Sequence, residues 1–188
     1  MSVVRFIADY HFGHKFVANI RGFNDEFHMN EHIVTEHNRV VEKRDLTYIL
    51  GDITMETAEY YFYLDQMNGR KRVILGNHDS RLDVPELLNY VETVSGMEKY
   101  KSIFLSHCPV HPQELQYRVS RNIHGHVHEY SVTKEIIEGK RQTDAGTLDP
   151  RYINVSCENV DYRPRTLEEL IPGYTESYKK YRNERKKG

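Results

Sequence analysis

Asp9 with His11, Asp52, the run Asn77-His78-Asp79, His107, and His126 with His128 are the side chains of this sequence that could do chemistry together. Each group follows a short apolar run that stops at glycine or at polar residues. In Val73-Ile74-Leu75-Gly76-Asn77-His78-Asp79 an amide, an imidazole and a carboxylate arrive in consecutive positions, a trio that packing does not explain. Residues two apart in an extended segment share a face, so Asp9 with His11 and His126 with His128 read as two-donor bites, and Tyr10 should point the other way. Imidazole, carboxylate and amide without thiolate suit a hard-to-borderline divalent ion such as Mn, Fe, Ni or Zn. The set is too large for one ion. Two ions about 3.5–4 Å apart that share a carboxylate would use it, gripping phosphoryl oxygens and lowering the pKa of a shared water for in-line attack.

Such donors need rigid strands to hold them. Residues 3–8 form a compact apolar run, a buried first strand, and 47–50, 73–75 and 103–106 repeat the pattern ahead of Gly51-Asp52, Gly76 and His107. Between them, 30–41 carries Ile33, His37, Val40 and Val41 at helical spacing, with Asn30 as the expected N-cap, and His32 and His37 read as ordinary helix residues. An aromatic-rich helix is expected over 58–67, ended by Asn68-Gly69, and another over 84–90. Segment 113–121 is polar and irregular. Residues 129–138 read as a hairpin or edge turning at Gly139-Lys140, 152–157 as a last strand, and 166–188 as a helical, basic tail that opens on the capping-box pattern Thr166-Leu167-Glu168-Glu169. Alternating strands and helices indicate βαβ units with right-handed crossovers and function at the strands' carboxyl ends.

At 188 residues, one domain spanning 1–188 is expected. With 26 basic and 28 acidic residues the net charge is -2, which gives no overall field for nucleic acid or a membrane surface. Cys108 and Cys157 lie far apart without CxxC spacing, so no disulfide is expected; with no charged-then-apolar leader and no long apolar segment, the reading is a cytoplasmic protein with reduced thiols.

The order Asp-x-His, Gly-Asp, Gly-Asn-His-Asp, a lone His after a strand, then Gly-His-x-His resembles the calcineurin-like metallophosphoesterase superfamily, and Asp9-Tyr10-His11-Phe12-Gly13-His14 resembles its compact bacterial and phage-type members. The blocks span residues 9 to 128. The resemblance implies an α/β fold of the four-layer α/β/β/α sandwich type and two divalent metal ions, manganese first among them, with Fe, Ni or Zn as alternatives. It implies Asp9, His11, Asp52 and His128 around one metal and Asp52, Asn77, His107 and His126 around the other, with Asp52 as the bridge. His78 would lie beside the metals without binding them, donating a proton to the leaving oxygen or a hydrogen bond to the phosphoryl group, and Asp79 would orient and charge it through its other nitrogen. The implied reaction is hydrolysis of a phosphodiester or phosphomonoester by a hydroxide bridging two metals.

Short gaps between the blocks leave little beyond the core, so a shallow, open site and a small nucleotide-like substrate are expected. His14, Arg118 and Arg121 are the candidate substrate contacts, with Tyr117 able to stack on a base; His111 and His124 read as structural. A nuclease acting on DNA or RNA is the first alternative, resting on Arg70-Lys71-Arg72 and the basic tail, and the near-neutral charge counts against it. A non-catalytic interaction module is the second, and the presence of His78 with every ligand counts against that.

Overall fold

The computed structural model describes residues 2–134 and 146–185, the last five by their backbone alone. It contains β1 (Val4–Ile7), α1 (Lys15–Ile20), α2 (Glu26–Val40), β2 (Leu46–Ile49), β3 (Arg70–Ile74), α3 (Val84–Leu87), β4 (Thr93–Ser95), β5 (Met97–Tyr100), β6 (Ile103–Ser106), β7 (Arg121–His124), β8 (Tyr152–Asn154), β9 (Arg165–Thr166), α4 (Leu167–Leu170) and α5 (Tyr174–Arg185).

These strands make two mixed sheets, ordered β4-β3-β2-β1-β9 and β5-β6-β7-β8, an α/β fold. Strands β1 to β4 are mutually parallel, as are β6 to β8, while β9 and β5 run antiparallel at the edges. Every residue of β2 is buried, as a strand covered on both faces requires. The sheets face each other through rings: Phe6 of β1 stacks on Tyr48 of β2 at 5.7 Å, and Tyr100 of β5 meets both at 5.6 and 5.8 Å. Beyond β1 and β8 a parallel bridge, Ala8 to Ser156, ties the carboxyl ends of the two sheets together.

Helix α2 begins four residues before the expected Asn30 cap. Asp25 caps it, its carboxylate accepting from the His28 amide at 2.8 Å. Asn30 is buried and takes another task, accepting from the Gly13 amide at 3.1 Å and so holding the first donor loop. Met29, Ile33 and His37, four apart, are the buried stripe. His37 is therefore a core residue: its Nε2 donates to the Asn68 carbonyl at 3.0 Å and its Nδ1 accepts from the buried Tyr10 hydroxyl at 3.2 Å.

The helix expected over 58–67 is replaced by turns around a 3-10 segment, Tyr61–Leu64. Consecutive aromatics lose side-chain freedom in a helix, and local bonds compete: Thr54 Oγ1 donates to the Thr57 carbonyl at 2.6 Å and Thr57 Oγ1 accepts from the Glu59 amide at 3.2 Å. The helix expected over 84–90 is one turn, Val84–Leu87. The capping box at Thr166 is present, but Ile171-Pro172-Gly173 splits the expected tail into α4 and α5. Tyr174 is buried and stacks on Tyr178, and Lys101 lies over the rings of Tyr100, Tyr174 and Tyr178 at 5.2–5.6 Å, so α5 is pinned to the turn before β6. The hairpin turn at Gly139-Lys140 lies outside the described residues; beside it Thr133 pairs antiparallel with Leu148. Both cysteines are free thiols. No helix among the described residues is long and apolar enough to cross a membrane.

Candidate metal centre

Asp9 and His11 follow β1, Asp52 follows β2, Asn77, His78 and Asp79 follow β3, His107 follows β6, and His126 and His128 follow β7. All arrive at the seam that the Ala8–Ser156 bridge closes. The two-apart pairs do not get there by extended alternation. Asp9, His11, Asp52, His126 and His128 have φ of 59°, 51°, 52°, 72° and 50°, left-handed turns that swing their side chains inward. Asp and His tolerate this region better than most residues, at a cost of order 1 kcal/mol each. Interlocking backbone bonds impose it: Asp9 N donates to the Gly51 carbonyl, His11 N to Asp52 and Phe12 N to Ile53, at 2.8–3.0 Å.

The carboxylates are held by amides. Asp9, fully buried, accepts from the His126 amide with both oxygens at 3.0 and 3.1 Å. Asp52 Oδ1 accepts from the His78 amide at 3.0 Å, which leaves Oδ2 between His107 Nε2 at 3.4 Å and His11 Nε2 at 3.6 Å. Two glycines make room for these oxygens: a Cβ on Gly76 would meet Asp52 Oδ1 at 2.1 Å, and one on Gly125 would meet Asp9 Oδ2 at 2.3 Å. Burial lifts the Asp9 pKa to about 6, partly offset by His107 and His128. For Asp52 burial works the same way, but the His107 imidazole, the His78 amide and His11 together outweigh it and hold the carboxyl below its ordinary value.

Among the imidazoles, His107 donates from Nδ1 to the Leu50 carbonyl at 2.8 Å. That fixes the tautomer whose Nε2 lone pair faces Asn77 Oδ1 at 2.9 Å, His126 Nδ1 at 3.2 Å and Asp52 Oδ2. Burial disfavours an imidazolium at His107, yet Asp52, with Asp9 and the Leu50 carbonyl, outweighs it and holds the pKa above its ordinary value. On the other side, burial drives the His11 pKa down to about 3, and both of its buried ring nitrogens lack a hydrogen-bond partner. His128 Nδ1 meets Glu158 Oε1 at 2.8 Å. Arg21 holds the other Glu158 oxygen at 2.7 Å and also donates to the carbonyls of Asp9 at 2.7 Å and Tyr10 at 3.2 Å.

Donor atoms thus converge in three groups within 4.8 Å: Asp9, His11 and His128; Asp9, Asp52 and His107; His107, Cys108 and His126. All seven residues expected as ligands, Asn77 included, meet at one place. Buried carboxylates, an orphaned His11 and lone pairs facing one another across 2.9–3.6 Å fit a divalent cation.

Two expected roles change. Asp79 does not orient His78: its carboxylate accepts from the backbone amides of Asp52 and Ile53 at 2.9 Å and Gly76 at 2.8 Å, so it ties the β2 and β3 loops together. The acid nearest to His78 Nδ1 is Glu56, at 3.9 Å, and that half-buried ring lies 5.9 Å from His11. Arg118 and Arg121 are not at the centre. Arg121 begins β7, whereas the donors follow its carboxyl end, and both guanidiniums line a different groove. His14 is at the centre, its ring 5.8 Å from His11.

Sequence reasoning missed Glu158, Arg21 and Glu56, single charged residues with no local pattern to mark them. It also missed a cleft of about 260 Å³ that opens beside His128, with Phe16, Val17 and Ile20 as its apolar wall. Phe16 and Ile20, one helical turn apart, are 67% and 63% exposed.

No family profile matches the chain. It is 30% identical over 200 residues to the gene 66 protein of Mycobacterium phage D29, covering 90% of this chain and 99% of that protein. It is 27% identical over 183 residues to the uncharacterized protein MJ1445 of Methanocaldococcus jannaschii, covering 91% and 90%. Among solved structures, AQ665 of Aquifex aeolicus, a protein of unknown function, superposes with a TM-score of 0.64 at 26% identity, covering 90% of this chain and 98% of that one. An archaeal phosphodiesterase overlaps 80% of the chain and 81% of its own length at 18% identity and a TM-score of 0.44, too slight a likeness to bear on function.

Proposed function

We propose that the chain, which belongs to the family of the gene 66 protein of Mycobacterium phage D29, is a metal-dependent phosphoesterase that hydrolyses a small, nucleotide-like phosphodiester or phosphomonoester. The observation that carries this reading is the convergence of His107 Nε2, Asn77 Oδ1, His126 Nδ1 and Asp52 Oδ2, with Asp9, His11 and His128 opposite. We assign with it the calcineurin-like arrangement, a four-layer α/β/β/α sandwich, which the two facing sheets support.

Asp9, His11, Asp52 and His128 would hold one divalent ion, and Asp52, Asn77, His107 and His126 a second, with Mn²⁺ the first choice for an oxygen- and imidazole-rich set. Bound there, the ions supply positive charge against the phosphoryl oxygens and lower the pKa of a water in the site. The protein's own residues do the rest. Asp52, with one oxygen pinned by the His78 amide and the other between two imidazoles, sets the spacing of the two donor groups. His78, half-buried, with no hydrogen-bond partner at Nδ1 among the described residues and Glu56 at 3.9 Å from it, gives a ring proton to the leaving oxygen as the ester P–O bond breaks and water's oxygen bonds to phosphorus. Glu158, fixed by Arg21, orients the His128 ring. Phe16 and Ile20 offer an apolar wall to the organic part of the ester, which favours a diester with a flat, apolar substituent.

The test is Mn²⁺-dependent hydrolysis of bis-p-nitrophenyl phosphate beside p-nitrophenyl phosphate. Asp52→Asn is expected to lose metal binding and turnover together. His78→Ala is expected to keep its metal, measured by titration calorimetry, and to lose roughly 10²–10⁴-fold in turnover. A fully active His78→Ala removes the acid role; no turnover of either ester by metal-loaded protein removes the phosphoesterase reading.

A further inference from the structure

A second groove, about 180 Å³, lies at the other end of the second sheet. Ser102 and Ser120 stand just before β6 and β7, their backbones joined from Ser120 N to the Ser102 carbonyl at 3.0 Å, while His107 and His126 follow those strands. Since β6 and β7 are parallel, the groove and the candidate metal centre sit at opposite strand ends, roughly 16 Å apart by strand rise.

Its lining is chemically specific. Arg118 and Arg121 project into it, and among the described residues neither guanidinium has a hydrogen-bond or ion-pair partner. Tyr117 is 90% exposed, the largest exposure of any large apolar or aromatic side chain described. The Tyr174–Tyr178 stack also lines it, 5.7 Å between centroids and 11° from parallel, with Lys101 over both rings at 5.6 Å and the Ser102 and Tyr174 hydroxyls bonded at 3.2 Å. Hydroxyls of Ser120 and Ser177 complete it. Two guanidiniums without partners among the described residues, on one groove, can take an anion, and a planar fork suits phosphate oxygens. The exposed Tyr117 ring on the same groove offers a face on which a flat base can stack. The volume admits one base and not a large ligand.

We infer that this groove binds a nucleotide unit, its phosphate on Arg118 and Arg121 and its base against Tyr117, supplied either as a free nucleotide or as part of a single strand. The site is independent of the metal centre and of the reaction assigned to it.

The probe is a 5′-fluorescein-labelled decanucleotide, dT or rU, added to Asp52→Asn protein in EDTA so that it is not hydrolysed, with AMP and UMP as competitors. Anisotropy is expected to report binding that weakens steeply with salt, falls at least roughly tenfold in Arg118→Ala/Arg121→Ala and about tenfold in Tyr117→Ser, and persists when Mn²⁺ is added to His78→Ala protein, which keeps its metal without cleaving the probe. Circular dichroism checks that each variant is folded. Competition by AMP or UMP at micromolar concentration identifies the free nucleotide as ligand; binding of the decamer without such competition identifies the strand. Absence of binding by both probes, binding untouched by all three substitutions, or binding displaced by Mn²⁺ overturns the inference.

Discussion

Three backbone amides, those of Asp52, Ile53 and Gly76, converge on the Asp79 carboxylate at 2.8–2.9 Å. Removing that acceptor strands three donors at a buried place, each costing about 1–3 kcal/mol. Asp79→Ala is therefore expected to lose about 3–6 kcal/mol in urea unfolding, and Asp79→Asn, which keeps one carbonyl oxygen, clearly less. If Asp79 served only to orient His78, turnover would fall with stability unchanged. The donors themselves were legible in the sequence, because residue type and position after an apolar run are local facts. Their support was not. Glu158 matters only because the fold brings it 2.8 Å from His128, and Arg118 and Arg121 misled because nearness in sequence to His126 becomes, across a strand, distance in space.

Helix α2 holds the first donor loop from two sides, through Asn30 to Gly13 and through His37 to Tyr10. Burial drives the His37 pKa from 6.5 down to about 4, with Lys71 and Arg5 adding to it against the Asn68 bond. Between those values the unfolded chain takes up a proton that the folded chain refuses, so stability falls as pH drops from 6.5 toward 4, by about 3 kcal/mol at most. Thermal unfolding from pH 7 to 4.5 checks this: the midpoint of His37→Gln should fall less than that of the unaltered protein. The slope left in the variant belongs to other buried imidazoles such as His124, lowered to about 4. Elements were legible where periodicity was strong, as in β1, β2 and the stripe of α2. The start of α2 was not, because Asp25 caps as well as Asn30 could and only Gly13 shows what Asn30 is for. Nor was the 3-10 segment Tyr61–Leu64, whose apolar spacing serves a helix and a buried turn equally.

At the scale of the molecule, the candidate centre lies on the seam between two sheets: Asp9, His11, Asp52 and Asn77 come from the first, His107, His126 and His128 from the second. An ion bound there ties both sheets in the folded chain alone. Mn²⁺ at 100 times its Kd should stabilise by about 2.7 kcal/mol, a rise of roughly 5–10 °C in the unfolding midpoint for a chain of this size. Differential scanning calorimetry with and without EDTA measures it, and Asp52→Asn should show no such rise. Parallel strands with donors at their carboxyl ends were legible from the alternation of elements. The antiparallel edges β5 and β9 were not, since their short runs find a partner only through tertiary contact.

Asp9 rests on the amide of a residue 117 positions later in the chain. At ribosomal speeds of about 5–20 residues per second, roughly 6–23 s separate the emergence of the two. A nascent chain in that interval carries an aspartate and a histidine with no partners and no cage, a weak two-donor chelator at best. If the centre takes up an ion, that step must wait until the chain has emerged past His126 and His128, so a product stopped before them lacks those two donors.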